Sequence, residues 1–398
     1  MLFNKLFLFL LLLVLLKCSP ENPVKDLENV TVYSSNIQPV YSISLDSTAT
    51  FGDSEGVPWG PVVRTIGVDK QDRVFVADLL GNKVHVYDSD GTYIQSVGNA
   101  GEGPGEFSFM WQLRINDEDL HILDLMQSKI SVYDLNSFTH QNDFNVSIDQ
   151  ENQSDPDWVD RVSELGFVYQ ASDFEVLSNN NYLISFSLQS FGGQSNEGQT
   201  IETSIYDPSK RTYVQHDVHS FRADGTALFG EDQQAISDVI YKPRAQVDHT
   251  NDQVVYSWTE DLLFQIYNSM GAYQWSFYYP RESAVLDLND VFTYYENRNN
   301  NEWMESAIRS NAPDHWPAFN SLIIDDENRL WVSSIVENQD TYEWWVLDLN
   351  DKGRLLATFP WPRNHDLLQV ENGFAYFLAS DSDFQKIIKY TIDLDGSI

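Results

Sequence analysis

From Ile66 to Phe107 the chain reads IGVDKQDRVFVADLLGNKVHVYDSDGTYIQSVGNAGEGPGEF. Apolar and polar residues alternate here in short runs divided by turn residues, which is the period of half-buried strands. Val74-Phe75-Val76-Ala77 and Val84-His85-Val86-Tyr87 are the clearest of these runs. Lys70-Gln71-Asp72, the stretch Leu79 to Asn82, and Ser89-Asp90-Gly91 supply the turns, so the unit is predicted to be a four-stranded antiparallel meander whose last strand spans Tyr93 to Val97. Such a meander has two exposed edges and two faces to cover, and so requires neighbours.

The neighbours are repeats of itself. The first two strands recur as LRINDEDLHILD from Leu113, FEVLSNNNYLISF from Phe174, AQVDHTNDQVVYSW from Ala245, LIIDDENRLWVSS from Leu322 and LQVENGFAYFLAS from Leu368. In step with them, a third strand ends each time in a related phrase: VYDSDG, VYDLNS, IYDPSK, IYNSMG, VLDLND and TIDLDG. That makes six units. The sixth stops after its third strand, whereas PVYSISLDSTATFG followed by DSEGVPWG near the N-terminus parallels TYIQSVG followed by NAGEGPGEF in the first unit. The prediction is a ring closed by an N-terminal strand that completes the last unit and removes the open edges.

VFVADLLGNKVHVYDSDGTYIQSVGNAGEGPGEF resembles an NHL repeat, and the chain from about Val30 to Ile398 is similar to the six-bladed propeller lipoproteins of Bacteroidetes-type bacteria. The resemblance implies an all-β, six-bladed β-propeller of four-stranded antiparallel blades, but little about activity. Blades are expected at about 62–98, 110–145, 170–219, 243–280, 319–360 and 366–398 plus 39–52, all within one domain over 30–398. A short helical insertion is expected near 290–310, where Trp303, Met304, Ala307 and Ile308 fall at helical spacing; it is either a lid or packed surface structure.

The first residues suggest an address. Lys5, the apolar run Leu6 to Leu16 and the single cysteine, Cys18, have the layout of a bacterial lipoprotein signal over 1–18, although Lys17 stands where such signals carry a small residue. Residues 19–29, with two prolines, read as a tether. The expectation is an exported protein held at the cell envelope or outer membrane by a lipid on Cys18, with ordinary cleavage or no cleavage as alternatives. One cysteine excludes an internal disulfide framework. The net charge of −36, from 60 acidic and 24 basic residues, argues against nucleic acid as a partner.

Between-blade connections, expected at 53–65, 99–112, 146–172, 220–244, 281–320 and 361–367, carry the candidate chemistry because a rigid scaffold presents variable loops. They hold eight of the arginines (Arg64, Arg161, Arg222, Arg244, Arg281, Arg298, Arg309 and Arg363) and only one lysine, Lys242. They also hold Trp59, Trp111, Trp158, Trp303, Trp316 and Trp361. Arginine suits bidentate capture of anions and stacking on aromatic rings. Arg64, Trp111, Arg161, Arg222, Arg244, Trp258, His315 and Arg363 are therefore the candidate ligand-binding residues, for a small anionic or glycan-like ligand or a cell-envelope protein. The plainer reading pairs these arginines with the many acids and uses the tryptophans as anchors.

Catalytic signals are sparse. No HExxH, CxxC or nucleophile elbow occurs, and GEGPGEF lacks the Lys-Ser/Thr and helix of a phosphate loop and so reads as an inter-blade turn. His85, His121 and His249 fall on strands or within-blade turns. His315, His365, Asp78 and Asp124 could approach one face of the ring, but their spacing is diagnostic of no metal, and Asp78 and Asp124 are better placed to cap turns. No cofactor is expected for a binding module. The alternative, a propeller enzyme of lactonase, esterase or lyase type, would require calcium or zinc in the central channel.

Overall fold

Alternating sequences become a ring here because in five of the six units the turn between third and fourth strands is closed by a side chain as well as by the backbone. The repeated phrase at the end of the third strand supplies an Asp or Asn whose Oδ1 accepts from amides two to four residues on: Asp88 from Thr92 (3.0 Å), Asp134 from Ser137 (2.6 Å), Asp207 from Ser209 (3.0 Å), Asn268 from Ala272 (2.8 Å) and Asp348 from Asn350 (2.9 Å). These Asx turns fix where the third strand reverses into the fourth. In the first and fourth units the phrase ends in Gly91 and Gly271, at φ +92° in both. A methyl group there would meet the backbone carbonyl oxygen of Thr50 or Val218, each on the outermost strand of the preceding blade.

The computed structural model describes residues 23–52, 63–148, 168–189, 200–223, 227–229, 234–236, 239–250, 252–296, 302–380 and 385–395. It is a six-bladed β-propeller. Blade 1 is Val63–Val68, Val74–Asp78, Lys83–Tyr87 and Tyr93–Val97, and blade 2 is Met110–Ile115, Asp119–Asp124, Lys129–Asp134 and His140–Asn145. Blade 3 is Val168–Val176, Tyr182–Gln189, Thr200–Asp207 and Thr212–Arg222, and blade 4 is Ala245–His249, Gln253–Trp258, Leu262–Asn268 and Tyr273–Tyr279. Blade 5 is Phe319–Ile324, Arg329–Ile335, Thr341–Asp348 and Arg354–Pro362. Blade 6 takes His365–Glu371, Phe374–Ser380 and Gln385–Asp395 from the C-terminus and Ser42–Phe51 from the N-terminus. The closing strand pairs antiparallel from Ser42 opposite Asp395 to Phe51 opposite Ile387.

The sixth phrase, TIDLDG, behaves differently from the other five. Its Asp393 lies inside the strand, opposite Ser44, with no reversal. A turn is unnecessary because the fourth strand arrives from the other end of the chain.

The core is a circle of inter-blade layers. Phe75 and Val86 meet Leu113 and Leu120; Leu123 meets Phe174 and Tyr213; Leu183 and Phe221 meet Val254. Phe264 and Phe277 meet Leu322 and Leu347; Trp331 and Val346 meet Ala375 and Phe377; Tyr376 and Leu378 meet Val76 and Tyr87, which closes the circle. Each fully buried side chain of this size contributes roughly 1.5–3 kcal/mol.

Before it reaches blade 6, the N-terminal segment runs around the rim. Val30–Val32 adds a fifth, parallel strand to the outer edge of blade 4, and Tyr33 stacks on Tyr279 with ring centroids 4.5 Å apart. The amides of Val40 and Tyr41 then donate to Leu356 O on blade 5, at 2.9 and 2.8 Å. The helical insertion between blades 4 and 5 is two helices, α1 (Leu288–Glu296) and α2 (Glu302–Asn311), rather than one. Val291 of α1 and Ile308 of α2 are buried with Tyr241, Trp316 and Ile335, so the insertion is packed onto the ring.

Candidate functional site: the central channel

The first strand of every blade lines the hole of the ring, a cavity of about 1390 Å³. Its wall carries eleven Asp and Glu side chains against three cations, Arg64, Lys70 and Arg114. Lys70 pairs with Asp117 at 2.8 Å, and Arg114 donates from Nε to Glu175 Oε2 and from Nη2 to Asp173 Oδ1, both at 3.0 Å.

Arg114, on blade 2, therefore reaches two carboxylates of blade 3. Gln112 Nε2 adds a third donor to this pair of strands, reaching Asp173 Oδ1 at 3.1 Å. On blade 4, Asp248 Oδ2 accepts from the Ile324 amide at 2.7 Å, and its Oδ1 accepts from the His249 amide at 2.9 Å. Beside it the His249 imidazole is only 8% exposed, and neither ring nitrogen has a hydrogen-bond partner among the described residues. A buried imidazole normally has at least one partner.

The electrostatics follow from one guanidinium among three carboxylates in a half-dry wall. Burial pushes the Glu175 carboxyl up to about 7, with Arg114 opposing the rise. Burial likewise raises Asp248 to about 6. At Asp173 burial acts in the same direction, but Arg114 and His249 outweigh it and the net shift is downward. Burial lowers His249 to about 4 in spite of the Asp173 charge, which keeps the ring neutral near neutral pH. Burial acts against the charge of Arg114 as well, but Asp173, Glu175 and Asp248 hold it more firmly protonated than usual.

At the mouth formed by the first within-blade turns, Asn372 joins three blades. Its amide donates to Asp326 Oδ2 at 2.9 Å, and its Nδ2 donates to Asp72 Oδ1 at 2.8 Å. Glu371 next to it is raised to about 7, by burial first and the Asp326 charge second.

The residues anticipated from the sequence are spread out rather than gathered. Arg64 lines the channel and lies over the Trp111 ring, 3.6 Å from its centroid, while Trp111 Nε1 donates to Ser172 O at 2.9 Å. Arg222 covers Trp258 at 4.1 Å, as a separate pair. Arg244 Nη2 donates to Asn320 Oδ1 at 2.7 Å, tying blade 4 to blade 5. Arg363 donates to Gln339 Oε1 (2.6 Å) and Thr341 O (3.1 Å) and packs on Tyr342. Of the other loop arginines, Arg281 pairs with Glu343 at 2.6 Å, and Arg309 covers Phe292. His315 is exposed and bridges to Val285 under the helical insertion. Cys18, Arg161 and Arg298 lie outside the described residues.

Asp78 and Asp124 cap turns, accepting from the Gly81 and Gln127 amides at 2.9 Å each. GEGPGEF is an inter-blade turn in which Glu106 Oε2 accepts from Gly103 N at 2.9 Å. Among the described residues no three His, Cys, Asp or Glu side chains converge as a metal site.

Sequence reasoning passed over Arg114, Asp173, Glu175 and Asp248, and placed His249 on a strand or within-blade turn without a role. A signal existed: in three successive repeats the first strand breaks its apolar run with a charge, in Leu-Arg-Ile, Phe-Glu-Val and Val-Asp-His, where the other three have Gly67, Ile323 and Gln369.

A protein-family profile, DUF5128, described as a 6-bladed beta-propeller, matches residues 63–229. No curated protein matches the chain. Among solved structures it is similar to a putative exported protein from Bacteroides fragilis, at 12% identity, a TM-score of 0.50 and coverage of 92% of this chain and 99% of that one. It is also similar to a member of the DUF4221 family from Bacteroides vulgatus, at 8% identity, a TM-score of 0.51 and coverage of 89% and 99%. Likeness at such low identity is likeness of fold, and together with the six sheets it identifies this chain as a six-bladed β-propeller.

Proposed function

We propose that this protein is an exported binding module that takes a small polar ligand into its central channel. The observation that carries the reading is the unsatisfied interior of the channel: neither ring nitrogen of His249 has a partner among the described residues, and burial raises Glu175 and Asp248 in spite of Arg114. Natural interiors seldom leave such groups unmatched without a use for them.

The polarity of the wall favours hydroxyl or cationic donors, as on a sugar or an amine, over an anion. Of the described arginines proposed for an anion, Arg64 is the one that lines the channel, and eleven acids share that wall. The leader-like start of the sequence supports export, with Cys18 as the point of lipid attachment, and the fold neighbour from Bacteroides fragilis carries the description of an exported protein.

Hydrogen exchange of the purified protein, recorded with and without a neutral disaccharide, a diamine and a dicarboxylate, tests the proposal. Protection of Met110–Ile115 and Ala245–His249 by the sugar or the amine is the expected result. Protection confined to the outer rims, or no protection by any probe, would overturn it.

A further inference from the structure

Building on the channel reading, we infer that the centre of the channel is a receptor for an organic cation, with an ammonium group seated against Asp248 and Glu175 and the imidazole of His249 at its side. Three blades contribute the groups, and one charge count decides the ligand class. Asp173, Glu175 and Asp248 act on one another electrostatically, and Arg114 is the one cation that acts on all three. With all three carboxylates ionised, two negative charges remain uncompensated in a wall where the side chains of Arg114, Asp173 and Glu175 are 21%, 27% and 14% exposed. Water screens such charges incompletely. A ligand bringing one or two positive charges would supply what the wall lacks.

Geometry separates this ligand from the competing classes. A bare divalent ion needs several oxygens converging at about 2.0–2.6 Å. Here the oxygens are held apart by other duties: Asp173 by Arg114 and Gln112, Glu175 by Arg114, Asp248 by two backbone amides. An ammonium donates three hydrogen bonds from a single nitrogen and tolerates wider spacing. The volume of about 1390 Å³ also leaves room for an organic body behind the charged head. An anion would meet three carboxylates and an arginine already engaged by two of them. A neutral sugar could bond to these oxygens but would leave the charge imbalance in place. The neutral His249 ring offers an acceptor nitrogen that the carboxylates do not crowd with further charge, and His219, on the outer strand of blade 3, is the other histidine that acts on it.

Binding of such a cation must be linked to protons. The groups facing the site are Arg114, Asp173, Glu175, Asp248, His249 and, further out, His219, with Arg64, His121 and Glu371 elsewhere on the channel wall. Those that change charge between pH 8 and 5 inside the cluster are Glu175 and Asp248, both raised by burial. The cation favours their ionised forms, so its binding releases protons, and acid weakens it.

Calorimetry of the full chain in physiological salt, with 1,6-diaminohexane against its neutral isostere 1,6-hexanediol, tests the inference. Expected are one saturable diamine site per chain, none for the diol, an affinity at least about tenfold weaker at pH 5 than at pH 8, and a comparable loss in Asp248→Asn. Because Asp248→Asn alters backbone hydrogen bonds, His249→Gln provides the second test, with a loss of about threefold to tenfold expected. Diamine binding at several sites per chain, unchanged by either substitution, would mark the general acidic surface and overturn the inference. So would equal binding of the diol, or a calcium or zinc site at the same residues. Channel protection by the neutral disaccharide but not by the diamine would overturn the cation while leaving the channel as the binding site; protection by neither would remove both.

Discussion

Arg64 lays its guanidinium against Trp111 at 3.6 Å, joining the inner strand of blade 1 to that of blade 2 beside the channel. A contact this close between an exposed arginine and a half-buried tryptophan is worth about 0.5–1 kcal/mol. A double-mutant cycle with Arg64→Ala and Trp111→Leu, read by denaturant unfolding, should return a coupling in that range. Lysine at position 64 should recover only part of it, because the flat face of the guanidinium makes the stack. Zero coupling would show that the two side chains are merely adjacent.

Closure by the N-terminal strand predicts a large and cooperative penalty when it is weakened. Phe51 is fully buried between Tyr87 of blade 1 and Tyr376 of blade 6, with ring centroids 6.0 and 6.4 Å away. Phe51→Ala should cost about 3–5 kcal/mol. Asp46→Pro, which cannot donate to the ladder opposite Thr391, should also lower the unfolding midpoint. Independent unfolding of blade 6, with the other blades unaffected, would contradict a closed ring.

Turn glycines offer an internal control. Gly91, Gly271 and Gly373 all have positive φ, but a methyl group at the first two meets a carbonyl of the neighbouring blade, whereas at Gly373 nothing lies within 4 Å. Gly373→Ala should cost only the backbone term, roughly 1–2 kcal/mol. Gly91→Ala and Gly271→Ala should cost clearly more in the same denaturant assay. Equal costs at the three sites would show that the blades separate easily at these turns.

Three buried carboxyls should each remove stability as pH rises from the mildly acidic range to neutrality, against the opposite contribution of His121 and His249, which burial lowers to about 4. Glu175 and Glu371 have folded-state values near 7 against an ordinary 4.5, and Asp248 has one near 6 against 3.8. Between those limits each of these carboxyls binds more protons in the folded chain than in the unfolded chain, and so removes stability as the pH climbs through the window. Glu371→Gln should therefore raise the melting temperature at pH 8 and leave it nearly unchanged at pH 4.5. A rise of the same size at both pH values would assign the effect to packing instead of charge.

The fold was legible because its determinants are local. Asp88, Asp134 and Asp207 each close their own hairpin within four residues, and the alternation of Val74-Phe75-Val76 or Val84-His85-Val86 is set by the pleat. Even the closing strand left a trace, since Pro39 to Gly52 copies the fourth strand of blade 1. The channel was far less readable. Arg114 meets Asp173 and Glu175 across 59 and 61 residues, and no local pattern tells that three charges in three repeats share one wall. Arginines in the connections were more conspicuous, yet Arg244 and Arg363 spend their donors on Asn320, Gln339 and Thr341, neighbours invisible without the ring.

The parallel strand Val30–Val32 gives the molecule a mechanical fuse. Tension entering through the N-terminal end meets the bonds of Glu28 with Tyr273 and of Asn29 with Gln274 and Ser276, and with them the three-residue pairing with Ser276, Phe277 and Tyr278, then the Tyr33 stack, then the two amides on Leu356. Only after these have parted does load reach the long antiparallel pairing that shuts the ring. Short hydrogen-bonded contacts at the rim would thus extend under force while the bore of the propeller keeps its shape.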